Sequence, residues 1–205
     1  MQERKRRIRS DATANRERVV QAAAQLFRER GVDVPLDEIA AASGVGSATL
    51  HRHFRGRIDL VHSVLDTQAA QLADRAGLLL SAHGPDRALR IWMSSLIEFS
   101  MSYRGLAALL AAHDADTTLS SRHEALTQAC RQLLGAAQAS GHARTAIDAR
   151  GLLKLVHAIA LAAADSPDEA TCLTDVIMDG LLVRPSEVAG HSDESHDAQE
   201  AEHEA

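Results

Sequence analysis

Aromatic side chains are scarce: one Trp, one Tyr and three Phe in 205 residues. The core must therefore be built from Ala, Leu, Val and Ile. Cysteine is nearly absent. Cys130 and Cys172 stand far apart and match no zinc or redox spacing, so free, partly buried thiols in a reducing cytoplasm are expected. No stretch approaches 18 uninterrupted apolar residues, which argues against a transmembrane helix and a membrane partner. The charged start, MQERKRRIRS, is not followed by the apolar segment of a secretory signal. β-branched residues never gather into alternating runs, and no period of 20–50 residues repeats. What remains is an Ala- and Leu-rich chain, 45% hydrophobic and 24% charged, able to bury a real core as one generous domain or two small ones. The expected fold class is all-α, with about nine helices and no strand.

The net charge of −6 hides an asymmetry. Residues 1–60 hold 12 Lys/Arg against 8 Asp/Glu, and the rest of the chain 10 against 20. A polyanionic partner would therefore meet the N-terminal part. Glu187 to Glu204 holds seven carboxylates and no Lys or Arg, so residues 186–205 read as a solvated, disordered tail. Its His191, His196 and His203 offer at most weak metal ligation.

Residues 1–14, with Arg4, Lys5, Arg6, Arg7 and Arg9, read as a flexible basic arm. Helical spacing begins at Asn15, a plausible cap, with Val19, Val20, Ala23, Leu26 and Phe27 on one face and Gly31 as the stop. Short helices over Leu36–Ser43 and Ser47–Phe54 follow, then a longer one from Ile58. A break at Ala82–Pro85 leads to helices over Asp86–Tyr103, Leu106–Ala112, Leu119–Ala139 and Ala146–Ala164. The last helix starts at Ser166-Pro167-Asp168-Glu169, a capping hydroxyl with proline in the first turn, and Arg184-Pro185 ends it. The domains are then 15–62 and 63–185.

One short stretch, GVGSATLHRHFRGR from Gly44 to Arg57, concentrates basic and imidazole groups. Gly44 can take the left-handed conformation that ends one helix, Val45 anchors the turn, and Leu50 and Phe54, four apart, pack the next helix inward. This is a helix-turn-helix pattern. The outer face of its second helix presents Ser47, Ala48, Thr49, His51, Arg52 and His53, small and polar enough for base edges and phosphates in a major groove. Arg55 adds charge, and Arg57 can hold a phosphate beside the free N–H groups of the following helix. A metal site is the weaker reading, because residues two apart on a helix are separated by about 200°. A solvated basic helix with no partner is the bland alternative.

From Asn15 to about Val61 the sequence resembles the DNA-binding domain of the TetR family of bacterial transcriptional regulators. The matching runs are RVVQAAAQLFRERG and LDEIAAASGVGSATLHRHFRGRIDLV, in which the family's TLYxHF appears as TLHRHF. The resemblance implies a homodimer that reads a palindromic double-stranded DNA operator, with a C-terminal domain that binds a small-molecule effector. Carried over by position, Ser47, Ala48, Thr49, His51, Arg52 and His53 face DNA, and Arg57 takes a phosphate contact. Two departures stand out: His51 replaces the usual tyrosine, and Pro35-Leu36 replaces a serine or threonine cap. The arm at Arg4 to Arg9 is a possible substitute for the lost contact.

By the same resemblance the last two long helices form the dimer interface, and the small residues of IALAAA and the stripe Leu173, Val176, Ile177 and Leu181 suit that role. An intramolecular core explains them too. Trp92, Leu96, Phe99, Tyr103 and Leu109 could line an effector pocket between the middle helices. His113, Cys130, Leu133 and His157 could complete it. Few charged groups occupy these helices, so an apolar or weakly polar effector is expected. No cofactor is implied. A small all-α enzyme using His113, His157 or Cys130 is a competing class, as is a DNA binder without sequence preference.

Overall fold

The structure, a computed structural model, describes residues 2–103, 105, 118–163 and 166–183. Among them are eight α-helices: α1 Gln2–Arg30, α2 Leu36–Ser43, α3 Ser47–His53, α4 Arg57–Ala82, α5 Pro85–Ser102, α6 Thr118–Ala139, α7 Ala149–Ala162 and α8 Pro167–Leu181. One isolated antiparallel bridge, Ala143 to Leu182, is the extended pairing seen there. The expected helix Leu106–Ala112, with Leu109 and His113, lies outside the described residues, as does the acidic tail.

Most bounds follow local chemistry. Gly31 (φ 82°) closes α1 by donating to Phe27 O. The Ser166 hydroxyl accepts the Glu169 N–H at 3.2 Å and Pro167 opens α8, while Asp148 caps α7 through the Gly151 N–H at 2.7 Å. One expectation is corrected. Residues 2–14 are not a free arm, because α1 begins at Gln2 and runs through Asn15 without a break. The segment contains neither Gly nor Pro and is rich in Arg, so nothing in it stops a helix. Asn15 does not cap; its side chain accepts from Arg18 Nη2 at 2.5 Å.

Two cores form. The N-terminal core joins Val19, Ala23 and Phe27 of α1 to Ile39, Leu50, Phe54, Leu60, Val61 and Val64. The C-terminal core centres on Leu89, Trp92 and Met93 of α5, with Leu133 of α6, Leu152 of α7 and Met178 of α8. Helix α4, about 39 Å long at its 26 residues, belongs to both: Leu60 to Leu65 serve the first, and Ala69, Leu72 and Ala76 the second. The N-terminal core therefore passes the expected boundary at residue 62, and it also includes Tyr103 from the end of α5. Phe99 packs against both cores.

Candidate nucleic-acid interface and effector cavity

The turn between α2 and α3 is built by its backbone. Gly44 sits in the left-handed region (φ 65°, ψ 26°), its N–H donates to Ala41 O, and the Val45 N–H reaches Ala40 O, both at 3.1 Å. This pair of bonds satisfies carbonyls that end α2, and buried Val45 seals the turn. Pro35 precedes α2 with no side-chain cap, and its own carbonyl accepts the Glu38 N–H.

Leu50 and Phe54 are buried, which fixes the rotation of α3. Ser47, Ala48, His51 and Arg52 are then exposed and Thr49 and His53 half-exposed. Ser47, Ala48, His51 and Arg52 share the solvent side of this two-turn helix, Thr49 and His53 lie at its flanks, and Arg55 is exposed just past its end. Ser47 is partly committed, since its hydroxyl donates to Asp37 Oδ1 at 2.5 Å and ties α3 to the start of α2. Glu38 is engaged by Arg30 at 2.5 Å, which raises the Arg30 pKa by hydrogen bond and charge. The carboxylates flanking α3 thus have partners of their own.

Arg57 behaves differently from a free surface cation. It is half-buried, and its Nη1 donates to the carbonyls of Val32 and, at 2.7 Å, Val34. The side chain clamps the α1–α2 loop onto the start of α4. Arg57→Met is therefore expected to lower unfolding stability by about 1–2 kcal/mol through the two abandoned carbonyls. Urea denaturation monitored by circular dichroism measures this; an unchanged midpoint would mean that the clamp carries no weight.

Sequence reasoning missed Arg16, whose guanidinium stacks 5.2 Å from the Phe54 ring centre and whose Nη2 donates to Ser63 Oγ at 2.7 Å. It pins the end of α3 to α4. Its position on α1, three residues before Val19, could have marked it as facing the core margin.

A cavity of about 450 Å³ opens between α4, α5, α6 and α7. Of the residues expected to line an effector pocket, Leu96, Phe99, Tyr103 and His157 meet here. Trp92, Cys130 and Leu133 do not line it; all three are fully buried in the C-terminal core. Trp92 Nε1 donates to Leu72 O at 2.8 Å. Burial pushes the Cys130 thiol up to about 12, with Asp148 adding to the rise, so it is no nucleophile near neutral pH. Among the described residues no cluster of three or more His, Cys, Asp or Glu is arranged to hold a metal.

Residues of the cavity that spacing did not single out include Leu65, Arg122, His123, Leu126, Lys154 and Val156. Arg122 Nε donates to Asp66 Oδ1 at 2.8 Å. Its Nη2 lies 2.7 Å from the same oxygen, but that N–H is not directed at it and this buried nitrogen has no hydrogen-bond acceptor. The Tyr103 hydroxyl, also buried, has no partner either. Each such orphan costs about 1–3 kcal/mol. Burial raises the Tyr103 pKa against an opposing pull from Arg28, so the phenol stays protonated.

Comparison with known proteins agrees with this architecture. Residues 19–64 match the family described as bacterial regulatory proteins, tetR family, and residues 84–183 match the one described as transcriptional regulator SbtR-like, C-terminal domain. The TetR transcriptional regulator SCO0520 of Streptomyces coelicolor is 31% identical, with a TM-score of 0.71 over 82% of this chain and 98% of that one. The TetR transcription regulatory protein from Mycobacterium vanbaalenii is also 31% identical, with a TM-score of 0.69 over 86% and 99%. Among curated proteins, the HTH-type transcriptional regulator SAR2658 of Staphylococcus aureus is 28% identical over 113 residues, 51% of this chain and 58% of its own length. The chain thus matches a little over half the length of that relative. With a glycine-turned α2–α3 pair inside the first matched segment and a helical, cavity-bearing domain inside the second, the chain belongs to the TetR family of transcriptional regulators.

Proposed function

We propose that this regulator is a ligand-responsive repressor that binds a palindromic operator as a homodimer in the cytoplasm and leaves it when a small molecule fills the cavity. The observation that carries the reading is the outer face of α3. Leu50 and Phe54 turn inward and leave Ser47, Ala48, Thr49, His51, Arg52 and His53 toward solvent, small at the start and basic at the end. Small residues admit close approach to base edges, and Arg52 and Arg55 supply charge for phosphate or guanine. Arg57 would approach a phosphate only with the part of its guanidinium that does not hold Val32 and Val34.

The partner copy would cover α7 and α8. Leu155, Leu161, Leu173 and Val176 are exposed there, Val176 by 65%, and a stripe of this kind on adjacent helices suits an isologous contact. On its other flank α8 is held by Arg90, which pairs with Asp179 at 2.6 Å and Asp175 at 3.5 Å. Coupling would run through the cavity wall, because Leu65 and Tyr103 line the cavity and belong to the DNA-binding core. A coupling of about 1–3 kcal/mol is the usual size for such linkage.

The test is fluorescence anisotropy against DNA flanking the protein's own gene and a scrambled duplex, at several salt concentrations. Preference for one palindromic segment near physiological salt is expected. Equal binding to both duplexes, lost steeply with salt, would leave only phosphate attraction and sink the operator reading.

A further inference from the structure

We infer that the cavity takes an amphipathic monoanion, a hydrocarbon body bearing one carboxylate, with Arg122 as the anion-holding residue. The inference deepens the effector reading above and rests on it only for the consequence to DNA binding. Sequence pattern alone pointed to an apolar or weakly polar molecule, and the walls agree as far as the body is concerned. Leu65, Leu96, Leu126, Leu153, Val156 and Ala160, with Phe99 and Leu161, make most of the lining.

The polar part is one-sided. Arg122 and Lys154 line the cavity with two imidazoles, His123 and His157, and among the described residues no carboxylate shares the lining. Asp66, which pairs with Arg122, lies outside it and is 47% exposed, so water screens its charge. The Arg122 side chain is only 8% exposed. Its pairing through Nε fixes the guanidinium and leaves Nη2 as a buried donor with no acceptor. The Tyr103 hydroxyl, on the same cavity, is a second buried donor in want of an acceptor. Two unpartnered donors beside the Arg122 guanidinium and the Lys154 ammonium, in a mostly apolar cavity, favour an acceptor-only group. A carboxylate has oxygens and no N–H or O–H, and a guanidinium fork matches its geometry. An alkylammonium would meet Arg122 and Lys154 with no acid among the described lining residues to receive it, and a neutral amide would bring N–H groups that find no carboxylate there. Lys154, exposed at the mouth, would draw the anion in without being desolvated.

Isothermal titration calorimetry on the full chain tests this with octanoate, decanoate and 4-phenylbutyrate, each beside its primary amide and the matching primary amine. At least one carboxylate is expected to bind one per chain and about tenfold or more tighter than its amide, the usual return on a hydrogen bond to a charged group. Arg122→Gln should abolish that preference while binding of the amide persists. Arg122→Lys, which keeps a charge beside Asp66, should reduce it. Amides or amines binding as tightly as the carboxylates, no carboxylate binding at all, or a preference untouched in both variants would each overturn the inference. The wild-type comparison stands even if a variant fails to fold. The same probes are then added to the operator complex. Carboxylate binding that does not release DNA would sink the effector reading and leave the anion site standing.

Discussion

Replacing Trp92 by alanine is expected to destabilise the protein by about 4 kcal/mol, within the range for removing a fully enclosed aromatic side chain. Trp92 is the largest side chain with no exposure at all, set among α5 neighbours Ala88, Leu89, Met93 and Leu96. Its Nε1 also donates to Leu72 O, a cross-helix bond from α5 to α4 that alanine cannot make. Urea denaturation followed by ellipticity at fixed protein concentration measures the loss, since the substitution also removes the lone Trp fluorophore. Trp92→Phe, which keeps most of the volume, should recover more than half of the stability. A shift under about 1 kcal/mol for the alanine variant would mean that the α4–α5 contact closes without the indole.

Val176→Asp should leave the helical fold intact and, if the proposed dimer pairs through α8, yield a monomer. Val176 is 65% exposed, so a carboxylate there costs a single chain little. In a two-fold interface it would be buried twice, one copy facing the same helix of its partner. Sedimentation velocity reads the assembly, and anisotropy reads the consequence. On the proposed reading the two copies of α3 would then no longer be linked, and operator affinity should fall by about 100-fold, the lower range for losing a tethered second contact. A variant that stays dimeric and keeps its affinity would move the interface away from α8. Leu173→Asp, three residues earlier and 36% exposed, provides a second probe of the same stripe.

The α2–α3 unit was legible because its determinants are local. Pro35, Gly44 and the Leu50–Phe54 spacing each act within a few residues, and the observed bounds Leu36–Ser43 and Ser47–His53 differ from expectation by one residue at one end. The start of α8 was legible for the same reason, through Ser166 and Pro167. The first fourteen residues were misjudged because a run of like charge reads as a solvated arm, while the same residues also have good helix propensity and nothing to break it. The cavity was only half legible. Aromatic spacing on α5 points Trp92, Phe99 and Tyr103 at the same region, yet Trp92 faces the core and the other two face the void. Periodicity marks an inner face and cannot say which part of it is filled. Arg122 was out of reach altogether, because it is distinguished from Arg131 by a partner 56 residues away in sequence, Asp66. Arg57 shows the converse: its place at the start of α4 suggested a phosphate ligand, and its bonds go to carbonyls more than twenty residues upstream.

The sharing of Leu65, Phe99 and Tyr103 between the DNA-binding core and the cavity wall bears on recombining such regulators. A chimera cut at residue 62, in the first turns of α4, would separate Val64 and Leu65 from the core they complete and would leave Tyr103 on the wrong parent. The transferable DNA-reading part is discontinuous: α1 to the middle of α4, plus the end of α5. Grafts that respect that seam would carry the donor's Leu65, Phe99 and Tyr103 with them, so exchanging the DNA-binding part at this joint also rewrites part of the cavity wall.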